Sequence, residues 1–267
     1  MPSAVAVVVP AHDEAHRIGA CLRSVREAAA RAAPLPVVTV VAADACADDT
    51  AGIAARAGAH VVRLDRRSVG AARAVGTAYA LHLLHAHTPD VWLAMTDADS
   101  TVPATWLTDQ LAWARNGYDV VLGTIRLARA PSWLASLHDD AYFLTRPLGG
   151  PTRWEHPHVH GANLGISATA YLRAGGFAPL STGEDHELVA RLTAQGRRIA
   201  RSDGHPVHTA ARLRGRAPGG LADLLSGLHD APAHHKAERP IGRRTVRPSP
   251  DTNRTAAPDT RAEPTTR

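Results

Sequence analysis

Val91-Trp92-Leu93-Ala94-Met95-Thr96 is a largely apolar run that ends in Asp97-Ala98-Asp99. A run of this length without polar alternation predicts a strand buried on both faces, as in a parallel sheet covered by helices. Two carboxylates just past its end would stand at the rim of that sheet, where open α/β folds place ligands. Asp-x-Asp also suits a hard cation such as Mg²⁺ or Mn²⁺, which takes oxygen ligands from one or two carboxylates and from substrate phosphates. The triplet has a plainer use, with Asp99 or Ser100 capping a helix that begins near Pro103. Taken alone the motif reads as a capped loop, because Asp-x-Asp is common, and only its position favours the cation site.

Strand and helix alternate on either side of this run. Residues 4–9 read as a buried strand, and Asp13 as the cap of a helix with Ile18, Leu22 and Val25 on one face. A second strand is expected over 36–42, and a helix capped by Asp48 runs through Ile53. A short strand over 61–64 and a helix over 70–87 precede the opening run. A helix over 103–115 and a strand over 119–124 follow it. This order predicts an α/β fold with a mainly parallel sheet covered on both faces, its polar strand ends sharing one edge. Beyond residue 130 the pattern loosens: helices are expected over 133–145, 168–174, 184–194 and 220–228, a loop over 146–160, and a short strand over 207–209.

The chain has 267 residues and a net charge of +5, of which +4 lies from Lys236 onward. The basic character therefore belongs to the tail, and no basic block in the remainder points to nucleic acid. Residues 232–267 are rich in Pro, Thr and Arg and poor in large apolar side chains. Such a segment does not repay its ordering entropy and is expected to be disordered. The two cysteines, Cys21 and Cys46, form no metal or redox motif. The N-terminus runs into a strand without the regions of a signal peptide. No apolar run approaches the ~20 residues of a membrane span. The expected location is the cytoplasm, with peripheral membrane contact left open.

Polar clusters recur at successive strand ends: Pro10-Ala11-His12-Asp13-Glu14, then Asp44 through Thr50, then Gly70-Ala71-Ala72-Arg73 opening a helix, then Asp97-Ala98-Asp99. Each alone reads as helix capping. Together they describe a crevice with donors and acceptors for a base, carboxylates for a cation and an arginine for a diphosphate. Glu184-Asp185 opens a later helix, either as acids favoured by the helix dipole or as a general base.

The ordered segments resemble family 2 glycosyltransferases of the GT-A fold. VAVVVPAHDEAHRIGACLRSV is similar to the family's strand-Pro-x-x-Asn-Glu opening, and VVTVVAADACADDTAGIAARAGA to its second-strand segment. VGAARAVG resembles Gly-x-x-x-Arg-Asn-x-Gly, and TDADS stands at the family's Asp-x-Asp. GANLGISATAYLRAGGF and GEDHELVARLTAQG are similar to its acceptor-side segments. The match runs over about residues 4–225, and its strength lies in six ordered segments.

The resemblance implies a single Rossmann-like α/β/α sandwich over 1–231, with a nucleotide-sugar-binding half over 1–125 and an acceptor-side half over 126–231. Pro10, Ala11 and Glu14 would line the nucleoside pocket, and Asp44 would accept from a base N–H, which favours a UDP-sugar although a guanine edge also fits. Arg73 would contact base or diphosphate. Asp97, with Ala98, would reach the ribose or metal, and Asp99 would ligate Mg²⁺ or Mn²⁺. His208 would be a third metal ligand, and Arg212, Arg214 or Arg216 would reach the diphosphate. Asp185, rather than Glu184, would be the base for an acceptor hydroxyl, with inversion. The spacing of His156, His158 and His160 puts them on one face of an extended segment. Trp154, His160, Gly161 and Asn163 read as acceptor-side residues. Asp13, Cys46 and Ala74 stand where the family usually has Asn, Ser and Asn, which weakens inference about the donor. Three alternatives remain: a retaining enzyme acting on a phosphorylated acceptor, a sugar nucleotidyltransferase, and a non-catalytic nucleotide-sugar-binding module. The nucleotidyltransferase is disfavoured because PAHDEAHRI lacks a Gly-rich basic loop.

Overall fold

The computed structural model describes residues 1–84, 91–128, 130–146 and 154–212, all within one compact unit, Met1–Ala231. The chain opens with β1 (Ala4–Ala11), α1 (Ile18–Arg31), β2 (Val37–Asp44), α2 (Thr50–Arg56), β3 (His60–Leu64) and α3 (Val69–Leu83). It continues with β4 (Val91–Met95), β5 (Ser100–Thr101), α4 (Trp106–Arg115), β6 (Val120–Ala128) and α5 (Ser132–Tyr142). A 3₁₀ turn (Gly161–Asn163) leads into β7 (Leu164–Ser167), α6 (Ala168–Arg173), α7 (Glu184–Ala194) and β8 (Ile199–Ala210). Among the described residues the strands form one sheet in the order β3-β2-β1-β4-β7-β6-β8-β5. β1 pairs in parallel with β2 and β4, β2 with β3, and β6 with β8. The short β7 runs antiparallel between β4 and β6.

Two apolar layers explain why β1 and β4 carry no polar residue. Val5, Val7 and Val9 of β1 turn to one face and join Ile18, Leu22 and Val25 of α1 and Trp106, Leu107 and Leu111 of α4. Ala4, Ala6 and Val8 turn to the other and join Leu93, Met95, Leu164, Ile166, Leu188 and Leu192. Full burial of each such aliphatic side chain stabilises the fold by roughly 1.5–3 kcal/mol. The expected α/β/α layering is therefore present, with a mostly parallel sheet.

Several local expectations change. Asp13 does not cap α1, which begins at Ile18 with Arg17 at its N-cap and no capping side chain. Asp99 and Ser100 do not cap α4: Ser100 opens β5, and Thr105 stands at the α4 N-cap. The strand expected over 207–209 is the end of the twelve-residue β8. Its middle, Arg201-Ser202-Asp203-Gly204-His205-Pro206, is mostly polar and spans a register break against β6 between Gly123 and Ile125. The helix expected over 220–228, Arg214, Arg216 and the 232–267 tail lie outside the described residues. Among the described residues no helix is long and apolar enough to cross a membrane.

Candidate active site

At the rim of β1, β2 and β3, carboxylates hold backbone. Asp44 Oδ1 accepts from Arg66 N–H (2.7 Å) and Arg67 N–H (3.0 Å), and Oδ2 accepts from Ser68 N–H (2.8 Å). Asp13 Oδ1 accepts from Ala47 N–H (2.7 Å), and Asp48 from Ala15 N–H and Thr50 N–H (both 2.9 Å). The Glu14 N–H donates to Thr50 Oγ1 at 2.7 Å. These bonds over-determine the loops, which is how Asp13, Ala45 and Arg67 are kept at φ of 48°, 50° and 49° without being glycine. The loops border an open cleft of about 390 Å³ lined by Ala45, Cys46, Arg63, Asp65 and Arg67. Pro10 and Ala11 are buried at the end of β1, in register with Ala42 and Ala43 of β2. Cys46 donates to Ala11 O at 3.4 Å, and burial raises its thiol pKa. Asp13, Cys46 and Asp48 offer ligand atoms within 4.8 Å of one another, a grouping sequence reading missed, but these carboxylates bind backbone N–H groups.

At the end of β4 the carboxylates face arginines instead. The Thr96 N–H still donates to Val8 O (3.3 Å), so the chain leaves the sheet only at Asp97. The Asp97 carbonyl then accepts from Ser100 N–H at 3.0 Å, which closes the turn. Arg73, in the first turns of α3, is 2% exposed. It donates to Asp97 Oδ1 at 2.5 Å and to Glu184 Oε1 at 2.7 Å. Burial opposes its charge, but Asp97 and Glu184 outweigh that and hold its pKa above the ordinary value. Glu184 is shifted upward by burial, with Arg73 opposing. Asp99 Oδ2 lies 3.0 Å from Arg212 Nη2, and the same nitrogen contacts Glu14 Oε1. Burial first, then the charge of Asp97, pushes Asp99 up to about 6, with Arg212 acting the other way.

The geometry tests whether a cation fits: the four carboxylates of Glu14, Asp97, Asp99 and Glu184 converge here on two guanidiniums, those of Arg73 and Arg212. Asp97 and Asp99 are oxygen donors of the kind Mg²⁺ and Mn²⁺ take, so the residues fit the cation. The structure does not bring His208 to Asp99. Thr209 Oγ1 lies 3.5 Å from Asp99 Oδ1 and is buried, whereas His208, one residue away on β8, is exposed and turns to the opposite face. Recognising 199–210 as one strand would have singled out Thr209 by its period-two phase with Val207.

The acceptor-side residues divide. Gly183, at φ +74°, turns the chain into α7. Asp185 Oδ2 accepts from Gly161 N–H at 2.7 Å and Oδ1 from His186 N–H at 2.8 Å, so its carboxylate is oriented and half-exposed. A Cβ at Gly161 would lie 1.5 Å from Arg73 Nη1, so a side chain there would push the ion-paired guanidinium aside. Asn163 is not available to an acceptor: it is buried, accepts from Trp106 Nε1 (2.9 Å) and donates to Thr124 O (2.9 Å) and His205 O (3.1 Å). It staples α4, β6 and β8 to the 3₁₀ turn. Trp154 is also buried, tilted against Phe143 and His156 at 5.5 Å. His156, His158 and His160 do share a face, with rings stacked at 5.8 and 6.0 Å. Tyr142 of α5, which the sequence did not single out, lies flat on His158 at 3.7 Å and contacts His160 Nε2 through its hydroxyl at 2.9 Å.

The family model described as glycosyl transferase family 2 matches residues 6–173. No curated protein sequence matches the chain. The fold is similar to that of S. aureus TarS 1–349 in complex with UDP-GlcNAc, at a TM-score of 0.58 and 15% identity over 81% of this chain and 61% of that one. It is also similar to the mannosyltransferase PcManGT from Pyrobaculum calidifontis in complex with GDP-Man and Mn²⁺, at a TM-score of 0.59 and 21% identity over 86% and 71%. M. tuberculosis glucosyl-3-phosphoglycerate synthase gives a TM-score of 0.51 at 19% identity over 85% and 76%. The chain thus spans about three fifths of the TarS structure.

Proposed function

Because the chain belongs to glycosyl transferase family 2, we propose that it transfers a sugar from a nucleoside-diphosphate donor to an acceptor hydroxyl with inversion, Asp185 being the general base. The observation that carries this reading is the juxtaposition of three groups through one buried arginine. Arg73 ties Asp97 to Glu184, and the neighbouring Asp185 is oriented by Gly161 N–H and His186 N–H. A base and a diphosphate site are thereby held against each other, as in-line displacement requires.

Asp97 and Asp99 would hold Mg²⁺ or Mn²⁺, which when bound supplies Lewis-acid stabilisation of the departing diphosphate. Mn²⁺ in the PcManGT complex supports that choice. Glu184 is a positioning residue, because its carboxylate is spent on Arg73 in a buried pair. Asp185 keeps lone pairs for an acceptor O–H after taking one hydrogen bond on each oxygen. Pro10, Ala11 and the 45–47 turn would bound the nucleoside. Asp44 Oδ2 takes one hydrogen bond among the described residues, which leaves it able to accept from a base N–H such as that of uracil. UDP-GlcNAc in TarS supports a UDP-sugar, and GDP-Man in PcManGT marks the rival.

Thermal shifts with UDP-, GDP- and TDP-sugars, with and without Mn²⁺, identify the donor, since a ligand at 100 times its Kd stabilises by about 2.7 kcal/mol. With that donor, Asp185→Asn is expected to bind unchanged and to lose transfer by about 10²–10⁴-fold. Unchanged turnover removes Asp185 from the role of base. A product of retained anomeric configuration overturns inversion.

A further inference from the structure

Arg212 occupies an unusual place. It follows β8 by two residues, yet its Nη2 reaches both Asp99 Oδ2, at 3.0 Å, and Glu14 Oε1, on the loop after β1. Its side chain is 18% exposed and that of Asp99 17%, so the contact is shielded from water. The other groups facing Asp99 are weak partners: hydroxyls of Ser100 at 3.4 Å and Thr209 at 3.5 Å, both to Oδ1. Arg17 reaches Glu14 Oε2 only at 3.8 Å and is half-exposed. Arg212 is thus the cation closest to Asp99 among the described residues. Its Nε–H is buried and has no acceptor there, so the guanidinium is incompletely satisfied where it stands.

We propose that Arg212 is an internal counter-cation for Asp99, and that a divalent ion binds Asp99 by displacing it, freeing the guanidinium for the donor diphosphate. The inference rests on the reading of Asp99 as a cation ligand. A guanidinium held at Oδ2 repels an ion arriving at the same carboxylate through shielded surroundings, so the two cations compete for Asp99. The exchange is feasible because Arg212 keeps Glu14 as an anchor and because a diphosphate offers the bidentate partner that guanidinium prefers. One side chain then has opposite effects on the two ligands: it opposes the bare cation and favours the nucleotide that arrives with it.

The test measures Mn²⁺ binding to the whole protein by electron paramagnetic resonance and calorimetry, first with Mn²⁺ alone and then with UDP or GDP. Arg212→Ala is expected to bind Mn²⁺ alone about tenfold more tightly than wild type, within the usual range for coupled binding, and to bind the nucleotide more weakly. Arg212→Lys, which keeps the charge, is expected to stay near wild type for Mn²⁺ alone, and circular dichroism reports whether each variant folds. Asp99→Asn is expected to lose Mn²⁺ in either background. Equal or weaker Mn²⁺ binding by folded Arg212→Ala, with Asp99→Asn still abolishing it, overturns the exchange while leaving Asp99 a ligand. Mn²⁺ binding that ignores Asp99→Asn overturns the ligand assignment itself. Should Arg212→Ala not fold, Arg212→Gln replaces it with the same expectations.

Discussion

Aspartates at two stretches of the same sheet edge do different work. Past β1 and β2, Asp13, Asp44 and Asp48 are held by backbone N–H groups. Past β4, Asp97 and Asp99 are held by Arg73 and Arg212. A backbone N–H cannot leave without unfolding its loop, whereas an arginine swings away on rotatable bonds. The first arrangement fixes shape, and the second, at the partly exposed Arg212, is proposed to hold charge in exchangeable form.

The largest effect tests the more buried of the two arginines. Arg73→Met leaves Glu184 without its partner in a site where that carboxylate is 5% exposed, and breaking such a pair costs about 3–5 kcal/mol. The Asp97 arm adds little because that side chain is 36% exposed and screened by water. Urea denaturation should recover part of the loss in the Arg73→Met, Glu184→Gln double variant. A cost below about 1 kcal/mol would place Arg73 among the exchangeable contacts.

Next, Asp44→Ala strips three partly buried N–H groups of their acceptor and is expected to cost about 3 kcal/mol, water recovering some of the full penalty. Asp99→Asn should change stability by less than about 1 kcal/mol, because burial already opposes its charge and Arg212 keeps Glu14. If the two variants lose equal stability in parallel urea melts, the distinction between the two stretches fails.

The sequence made legible whatever depended on local pattern. The buried runs of β1 and β4 and the bounds of α7 followed from apolar periodicity, and the same pattern put Asp97 and Asp99 just past a strand and Asp185 at the start of a helix. What stayed hidden was non-local. The four residues of β7 are too short to show a period, yet they sit mid-sheet. The partner that consumes Asn163 lies 57 residues upstream at Trp106, so an amide that reads as free for a substrate is spent on packing. Asp13 read as a helix cap because capping is the commonest local use of aspartate, but its partners, Ala47 and Asp48, lie on the next strand-to-helix loop. Spacing placed three histidines on one face, and nothing in it announced Tyr142 from α5.

That histidine wall supplies the smallest test, because it holds polar groups by a third means. His160 is pushed down to about 3, chiefly by burial, with Asp185 pulling the other way. Burial likewise lowers His156, His158 and His138. A group whose folded pKa is depressed binds fewer protons folded than unfolded, so its contribution to stability is complete above the unfolded value. It is then lost as pH falls from about 6.5 towards 3. His160 alone therefore gives stability a slope of up to about 1.4 kcal/mol per pH unit over that window. Asp99, raised to about 6, slopes in the opposite sense, but it is present in both proteins when wild type is compared with His160→Asn. In the difference between urea melts at pH 7 and pH 5 the carboxylate cancels, and His160→Asn is expected to lose less stability on acidification. Parallel curves would mean that His160 takes up its proton in the folded state, and the wall would then belong with the exchangeable carboxylates past β4 rather than with the fixed ones past β1 and β2.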